Sequence, residues 1–113
     1  MTIKPESKTF QLLETTIADV HKAFADGELT ARELVQMYLD RIEAYDKAGP
    51  MINSVITVSS TALADADALD ATYKASGSVG PLHGIPVLIK DQVDTVGMPT
   101  TMGSVIFKDY FPD

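Results

Sequence analysis

The twelve residues Gly80-Pro81-Leu82-His83-Gly84-Ile85-Pro86-Val87-Leu88-Ile89-Lys90-Asp91 constrain what this chain can fold into more than any other stretch. Two glycines and a proline between positions 80 and 84 punctuate the backbone into a bend. Val87-Leu88-Ile89 then reads as a short buried strand, entered through Pro86, where a missing amide donor is tolerated. Lys90 follows at the carboxyl end of that strand, and ligands of open α/β sheets gather outside the carboxyl ends of the strands. A charged residue closing an apolar run also marks, more simply, where a strand leaves the core, because lysine is rarely buried without a partner. Local pattern alone leaves Lys90 open between those two roles.

The segments upstream supply what such a strand needs around it. Residues 1–15 read as an irregular amino-terminal arm whose Phe10, Leu12 and Leu13 lie against the body. Thr16 with Asp19 three residues on is a capping-box variant that starts a helix. Ile17, Val20 and Phe24 form its apolar face, and Gly27 ends it. His21 shares that face, where a histidine is ordinarily packed and hydrogen-bonded. Thr30 and Glu33 form a second capping box, with Leu29 and Leu34 placed as a hydrophobic staple. Leu34, Val35, Tyr38, Leu39, Ile42 and Tyr45 continue that helix as a packing face until Gly49-Pro50.

The β-branched run Ile52-Asn-Ser-Val-Ile-Thr-Val58 reads as a strand. Ser59 or Ser60 caps a third helix reaching about Lys74, with Ala62, Ala66, Leu69 and Tyr73 as its buried stripe. Asp65, Asp67 and Asp70 on that helix point in different directions, unlike the loop ligands of a calcium site. They read as a solvated acidic face. Strand 52–58, helix 60–74 and strand 85–90 therefore predict one βαβ unit with a right-handed crossover and a parallel strand pair. A strand apolar on both faces needs helices on both sides and further strands beside it. The predicted class is α/β, with amino-terminal helices plus the first βαβ unit of a larger mixed sheet covered by helices on both faces.

Composition narrows the function. A length of 113 residues suits one modest domain, and 45% hydrophobic against 22% charged residues is a globular balance. The net charge of −7, with nine Lys and Arg scattered among sixteen acids, does not make a phosphate-binding surface, so no nucleic-acid partner is expected. Without cysteine there is no disulfide or thiolate chemistry. No apolar stretch follows the first residues as a secretory signal would require, and no run approaches a membrane span. A soluble, cytoplasmic protein without membrane contact is the expectation. No metal or cofactor site stands out. After Lys90, Asp91 and Asp94 share one loop, with nothing to make them converge as acid and base. Val105, Ile106, Phe107, Tyr110 and Phe111 crowd the last nine residues, as in a segment separated from its packing partner.

The string Gly-Pro-Leu-His-Gly-Ile-Pro-Val-Leu-Ile-Lys-Asp-Gln-Val-Asp-Thr-Val-Gly-Met-Pro-Thr-Thr-Met-Gly-Ser, positions 80–104, resembles the amino-terminal segment of the amidase signature family. The likeness extends upstream into Gly-Glu-Leu-Thr-Ala-Arg-Glu-Leu-Val at 27–35. The resemblance implies that residues 16–113 are an incomplete amidase signature domain, and that its activity is cleavage of a carboxylic amide through a Ser-cisSer-Lys triad. Gly84-Ile-Pro-Val-Leu-Ile-Lys-Asp91 matches the family's lysine-bearing string, which implies Lys90 as the catalytic lysine. Such a lysine must be neutral to take a proton, and desolvation at the end of a buried strand favours that form. In the implied mechanism Lys90 deprotonates the cis serine, which takes the proton of the nucleophile and returns it to the leaving amine.

Asp91, Thr100, Thr101, Gly103 and Ser104 are implied as support beside the cleft. Gln92 stands where family members commonly carry asparagine. Both serines and their glycine-rich context are missing, so this piece alone is expected to be inactive. The implied partners are a small-molecule amide and the remainder of the amidase domain. Two other readings stay open: the amidotransferase subunit that forms glutaminyl- or asparaginyl-tRNA, and a non-catalytic truncated or dimerisation fragment held as a homodimer by its amphipathic helices.

Overall fold

The computed structural model describes residues 10–113, so most of the expected arm, residues 1–9, lies outside the described residues. Three α-helices carry the fold: α1 (Ile17–Ala25), α2 (Ala31–Arg41) and α3 (Ala62–Ser76). Both capping boxes form. The Thr16 side chain accepts the Asp19 amide while Asp19 accepts the Thr16 amide, and Thr30 and Glu33 exchange the same pair of bonds. Each box satisfies two of the amide donors that a helix start leaves without partners. The apolar faces then meet in one small core of Val20, Ala23, Phe24, Leu29, Ala31, Leu34 and Ala66. Phe10 and Leu12 of the chain before α1 pack against it, whereas Leu13 is exposed.

The helix start at α3 departs from expectation. Its N-cap is Thr61, and the Ser59 hydroxyl accepts the Thr61 amide one step earlier. The acidic face of α3 also does more than meet water. The Asp70 carboxylate accepts the amides of Ala31 at 2.7 Å and Arg32 at 3.1 Å, and Asp67 pairs with Arg32. An acid from one helix therefore sits on the positive amino terminus of another, where an anion is favoured. Only Asp65 keeps to its own helix, accepting the Thr61 hydroxyl.

Beyond α2 the helix loosens into a π-helical stretch, Ile42–Lys47, and the chain turns through Gly49 and Met51 back onto it. The Ile52 and Asn53 amides donate to the carbonyls of Tyr45 and Asp46. Asp46 is buried, and its carboxylate accepts the Ser54 amide at 2.7 Å, the Ser54 hydroxyl at 2.7 Å and the Val55 amide at 3.1 Å. Those bonds from Ser54 first, then from Val55 and Lys47, hold its carboxyl well below the usual carboxylate range.

The expected strand pair does not form among the described residues. Residues 52–58 and 85–90 run without helical or turn hydrogen bonds along most of their length, and no ladder joins them. Burial alternates residue by residue from 54 to 59, the two-residue period of a strand. The β-branched run thus has the side-chain period of a strand without a neighbour to pair with. The physical reason is visible between them: a groove of about 1130 Å³ separates the two runs. Val87 and Leu88 are 67% and 84% exposed, so the most apolar stretch of the sequence lies on the surface of this chain. No helix of the described residues is long and apolar enough to cross a membrane.

Candidate active site

The bend at 80–84 is built into the core and aims the run that ends in Lys90. His83 is 4% exposed, and its ring packs near Phe24 and Tyr73. Its Nδ1 accepts the Val79 amide at 3.1 Å, while its own amide donates to the Gly80 carbonyl. His21 Nε2 lies 3.0 Å from the His83 carbonyl, so both histidines fasten the bend to α1. Gly84 has φ +71°, and a Cβ there would stand 2.9 Å from the Phe24 ring and 3.1 Å from the Ala31 side chain. Only glycine combines that backbone with that closeness. Pro86 and the apolar run leave the core from this anchored point.

Lys90 lines the groove at the far end of the run. It is exposed, and among the described residues its ammonium forms no ion pair or hydrogen bond. Immediately after it the chain turns, with the Gln92 and Val93 amides donating to the Lys90 carbonyl at 2.7 and 3.0 Å. Asp91 then locks the turn. Its carboxylate accepts the Thr101 amide at 2.8 Å and the Thr101 hydroxyl, and its carbonyl accepts the Met102 amide at 2.8 Å. The Thr101 hydroxyl and amide hold the Asp91 carboxyl below the usual carboxylate range. An anion bound in this way is a clamp and a poor proton donor. Asp94 is exposed and takes no part in that clamp, so the two carboxylates do not form a pair.

The structure places the remaining candidates in one loop with distinct tasks. Thr101 is buried, and its hydroxyl also accepts the Gly103 amide. Thr100 is buried too; its amide donates to the Tyr110 carbonyl, and its hydroxyl has no hydrogen-bond partner among the described residues. Gly103 lines the groove beside Met102. Ser104 caps the short 3₁₀ turn Val105–Phe107 by accepting the Ile106 amide. Lys90, Asp91 and Gly103 therefore share the groove, while Thr100, Thr101 and Ser104 brace the loop behind it.

Two contributors carry little sequence signal. Met102 adopts φ +53°, a left-handed backbone uncommon for a bulky residue, in the loop facing Lys90. Tyr38, Ile42 and Tyr45, which read as a packing face, form the groove floor, and Tyr45 takes the Arg41 guanidinium 4.9 Å from its ring centre. A helical apolar period reports that a face is covered without saying what covers it.

Known proteins bear on this arrangement. The profile described as "Amidase" matches residues 33–113. The A-type subunit of a glutamyl-tRNA(Gln) amidotransferase from Halorhodospira halophila is 42% identical over 98 residues, which is 86% of this chain and 19% of that protein. A probable amidase of Arabidopsis thaliana is 36% identical over 112 residues, covering 91% of this chain and 21% of its own. Among solved structures, native peptide amidase from Stenotrophomonas maltophilia superposes with a TM-score of 0.88 at 38% identity, over 92% of this chain and 21% of that one. An amidase family protein from Bacillus anthracis gives 0.87 at 34% identity, over 98% and 23%. The chain thus spans about a fifth of the curated relatives it matches. With the profile covering most of its length and the lysine-bearing run inside the match, this chain belongs to the Amidase family.

Proposed function

We propose that this chain forms the amino-terminal part of an amidohydrolase that cleaves carboxylic amide bonds, with Lys90 as the base of its triad. The observation that carries this reading is the mounting of Lys90. It ends an apolar run anchored in the core at His83 and Gly84, and the turn after it is clamped by Asp91 on Thr101. A proton-transfer group needs fixed geometry, and this one has a fixed backbone on both sides. The neutral form needed for a base requires removal from water. Lys90 is open to solvent here, so residues outside this chain would supply the burial, together with the nucleophilic and cis serines. Lys90 would take the proton of the cis serine, and that serine would pass the proton of the nucleophile on to the leaving amine. Asp91, Thr100, Thr101, Gly103 and Ser104 would hold the Lys90 turn without entering the chemistry. The sheet expected around residues 52–58 and 85–90 belongs to this reading as well, completed by the rest of the domain.

The test is Lys90→Ala in the chain joined to an amidase remainder that restores amide hydrolysis. A fall in kcat of about 10²–10⁴-fold is expected, the usual size of a general acid–base contribution. Hydrolysis at the unaltered rate would overturn the role of Lys90.

The 42% identity to an amidotransferase subunit favours one second reading, in which the released amine is passed to a partner protein. Hydrolysis of a simple carboxylic amide without added subunits supports the first reading. Turnover only with the partner proteins and a charged tRNA supports the second.

A further inference from the structure

Met102 is the residue of the Lys90 loop that the chemistry at Lys90 leaves without a task. Among the described residues, Glu14, Met51, Asn53 and Met102 are the non-glycine residues with a left-handed backbone, and of these only Met102 lines the groove that holds Lys90. Such a backbone is uncommon for a bulky side chain, and it persists where the surroundings impose it, most often at binding and catalytic sites. The surroundings here do impose it. The Met102 amide donates to the Asp91 carbonyl at 2.8 Å, the Thr101 hydroxyl and amide are tied to the Asp91 carboxylate, and the Gly103 amide donates to the Thr101 hydroxyl.

The fold draws no packing from the side chain held in this way. Met102 is 56% exposed and takes no part in the helical core. Glycine would adopt the same backbone without strain. Thr101 before it is buried and Gly103 after it has no side chain, so this corner of the loop presents one long apolar group to the groove. From Gln92 to Gly103 the loop gives the groove Val93, Met98, Pro99 and Met102 and no charged side chain. A charged substituent has no partner on that wall, whereas an apolar one does. An unbranched thioether on a fixed backbone adapts to apolar groups of different shape.

We propose that Met102 is a specificity-determining residue: its side chain packs against an alkyl or aryl group carried close to the scissile bond of the substrate, and so favours apolar amides over small ones. This rests on the reading of the groove as an amidohydrolase site, and it does not depend on Lys90 acting as the base. Met102 takes no part in proton transfer.

The test uses the chain joined to an amidase remainder that restores amide hydrolysis, with primary amides from acetamide to hexanamide and N-alkyl acetamides from methyl to butyl. The readout is the ratio of kcat/KM for the longest member of each series to that for the shortest. Met102→Gly, which suits the backbone, should lower that ratio about tenfold in the series whose alkyl group reaches the side chain, the size of a lost methylene-scale contact. The series that responds identifies the acyl or the amine side. Met102→Gln, unbranched but polar, should lower it similarly, and Met102→Leu should hold it within about threefold. Ile106→Ser, at an exposed apolar residue that does not line the groove, should not move it. A ratio unmoved in both series by Met102→Gly overturns the proposal, whatever happens to the overall rate, and makes Met102 a structural residue. So does an equal loss with Met102→Leu, which would trace the effect to the loop backbone. Calorimetric binding of hexanamide against acetamide to the Lys90→Ala form reads the same preference without turnover. A preference that survives there while hydrolysis fails, or hydrolysis that survives while the preference is absent, separates failure of the catalytic reading from failure of this one.

Discussion

At Gly84 the backbone and the core make the same demand. The residue has φ +71°, and an added Cβ would meet the Phe24 ring closer than real contacts allow and the Ala31 side chain more tightly than most. Gly84→Ala is expected to destabilise the chain by about 1–3 kcal/mol, combining left-handed strain with overpacking. Gly97→Ala is the control, since φ there is +81° but nothing lies within 4 Å of a new Cβ. It should cost only the conformational part, about 1 kcal/mol. Urea unfolding followed by far-UV circular dichroism compares the two, and equal losses would show that the Phe24 contact is unimportant. The bend was legible because glycine and proline punctuate any sequence. Lys90 and Asp91 stood out as candidates only through the longer string, since a lysine after an apolar run is locally ambiguous. The Asp91 clamp on Thr101 joins residues ten apart through irregular chain, and no periodicity announces such a bond.

Among the elements, α1 and α2 followed from their capping boxes, because a Thr and an acid three residues apart satisfy amides that any helix start exposes. The contact between α3 and α2 did not. Asp70 is 38 and 39 positions from the amides it accepts, so an acid that looks solvated on its own helix serves another. Asp70→Ala is expected to cost about 0.5–2 kcal/mol, the range for loss of an N-terminal cap, with fraying confined to the first turn of α2. Hydrogen exchange at the Ala31 and Arg32 amides reports it directly. Asp46 makes a second such link, from the π-helical stretch to residues 54 and 55. Its folded pKa is depressed by Ser54 and Val55, so its contribution is complete above the unfolded value near 3.9 and is lost as pH falls toward the folded one. The thermal midpoint of the chain should therefore fall more steeply below pH 4 than that of Asp46→Asn. The two curves should converge in acid, and parallel curves would exclude Asp46 as the titrating link. Asp91, depressed by Thr101, adds to the same acid limb. The expected strand pair does not form among the described residues, because pairing depends on neighbours that periodicity, which reports only burial, cannot supply.

For the whole molecule, the uneven distribution of apolar residues decides its behaviour. The helical core is small, with Leu34 its largest fully buried side chain, while Val87, Leu88, Val105 and Ile106 are each more than 60% exposed. Isolated apolar residues on a surface are ordinary, but a contiguous apolar wall marks an interaction surface. Burial of such area stabilises by roughly 25 cal/mol per Å². The 113-residue chain should accordingly bind a hydrophobic dye such as ANS. Joining it to an amidase remainder should remove most of the dye fluorescence and give a single mass. Charge reversal elsewhere, at Glu43 or Asp40 on the outer side of the helices, should leave dye binding unchanged. A substitution in the wall such as Leu88→Lys should reduce it. If the chain alone is monomeric and dark to the dye, its apolar runs are covered in solution by the chain itself, and the open groove does not describe the free protein. If dye binding is strong and disappears on joining, the exposed run leading to Lys90 becomes buried only in the completed domain. Burial of the run and desolvation of the lysine would then be one event, which ties the assembly of the sheet to the chemistry proposed at its end.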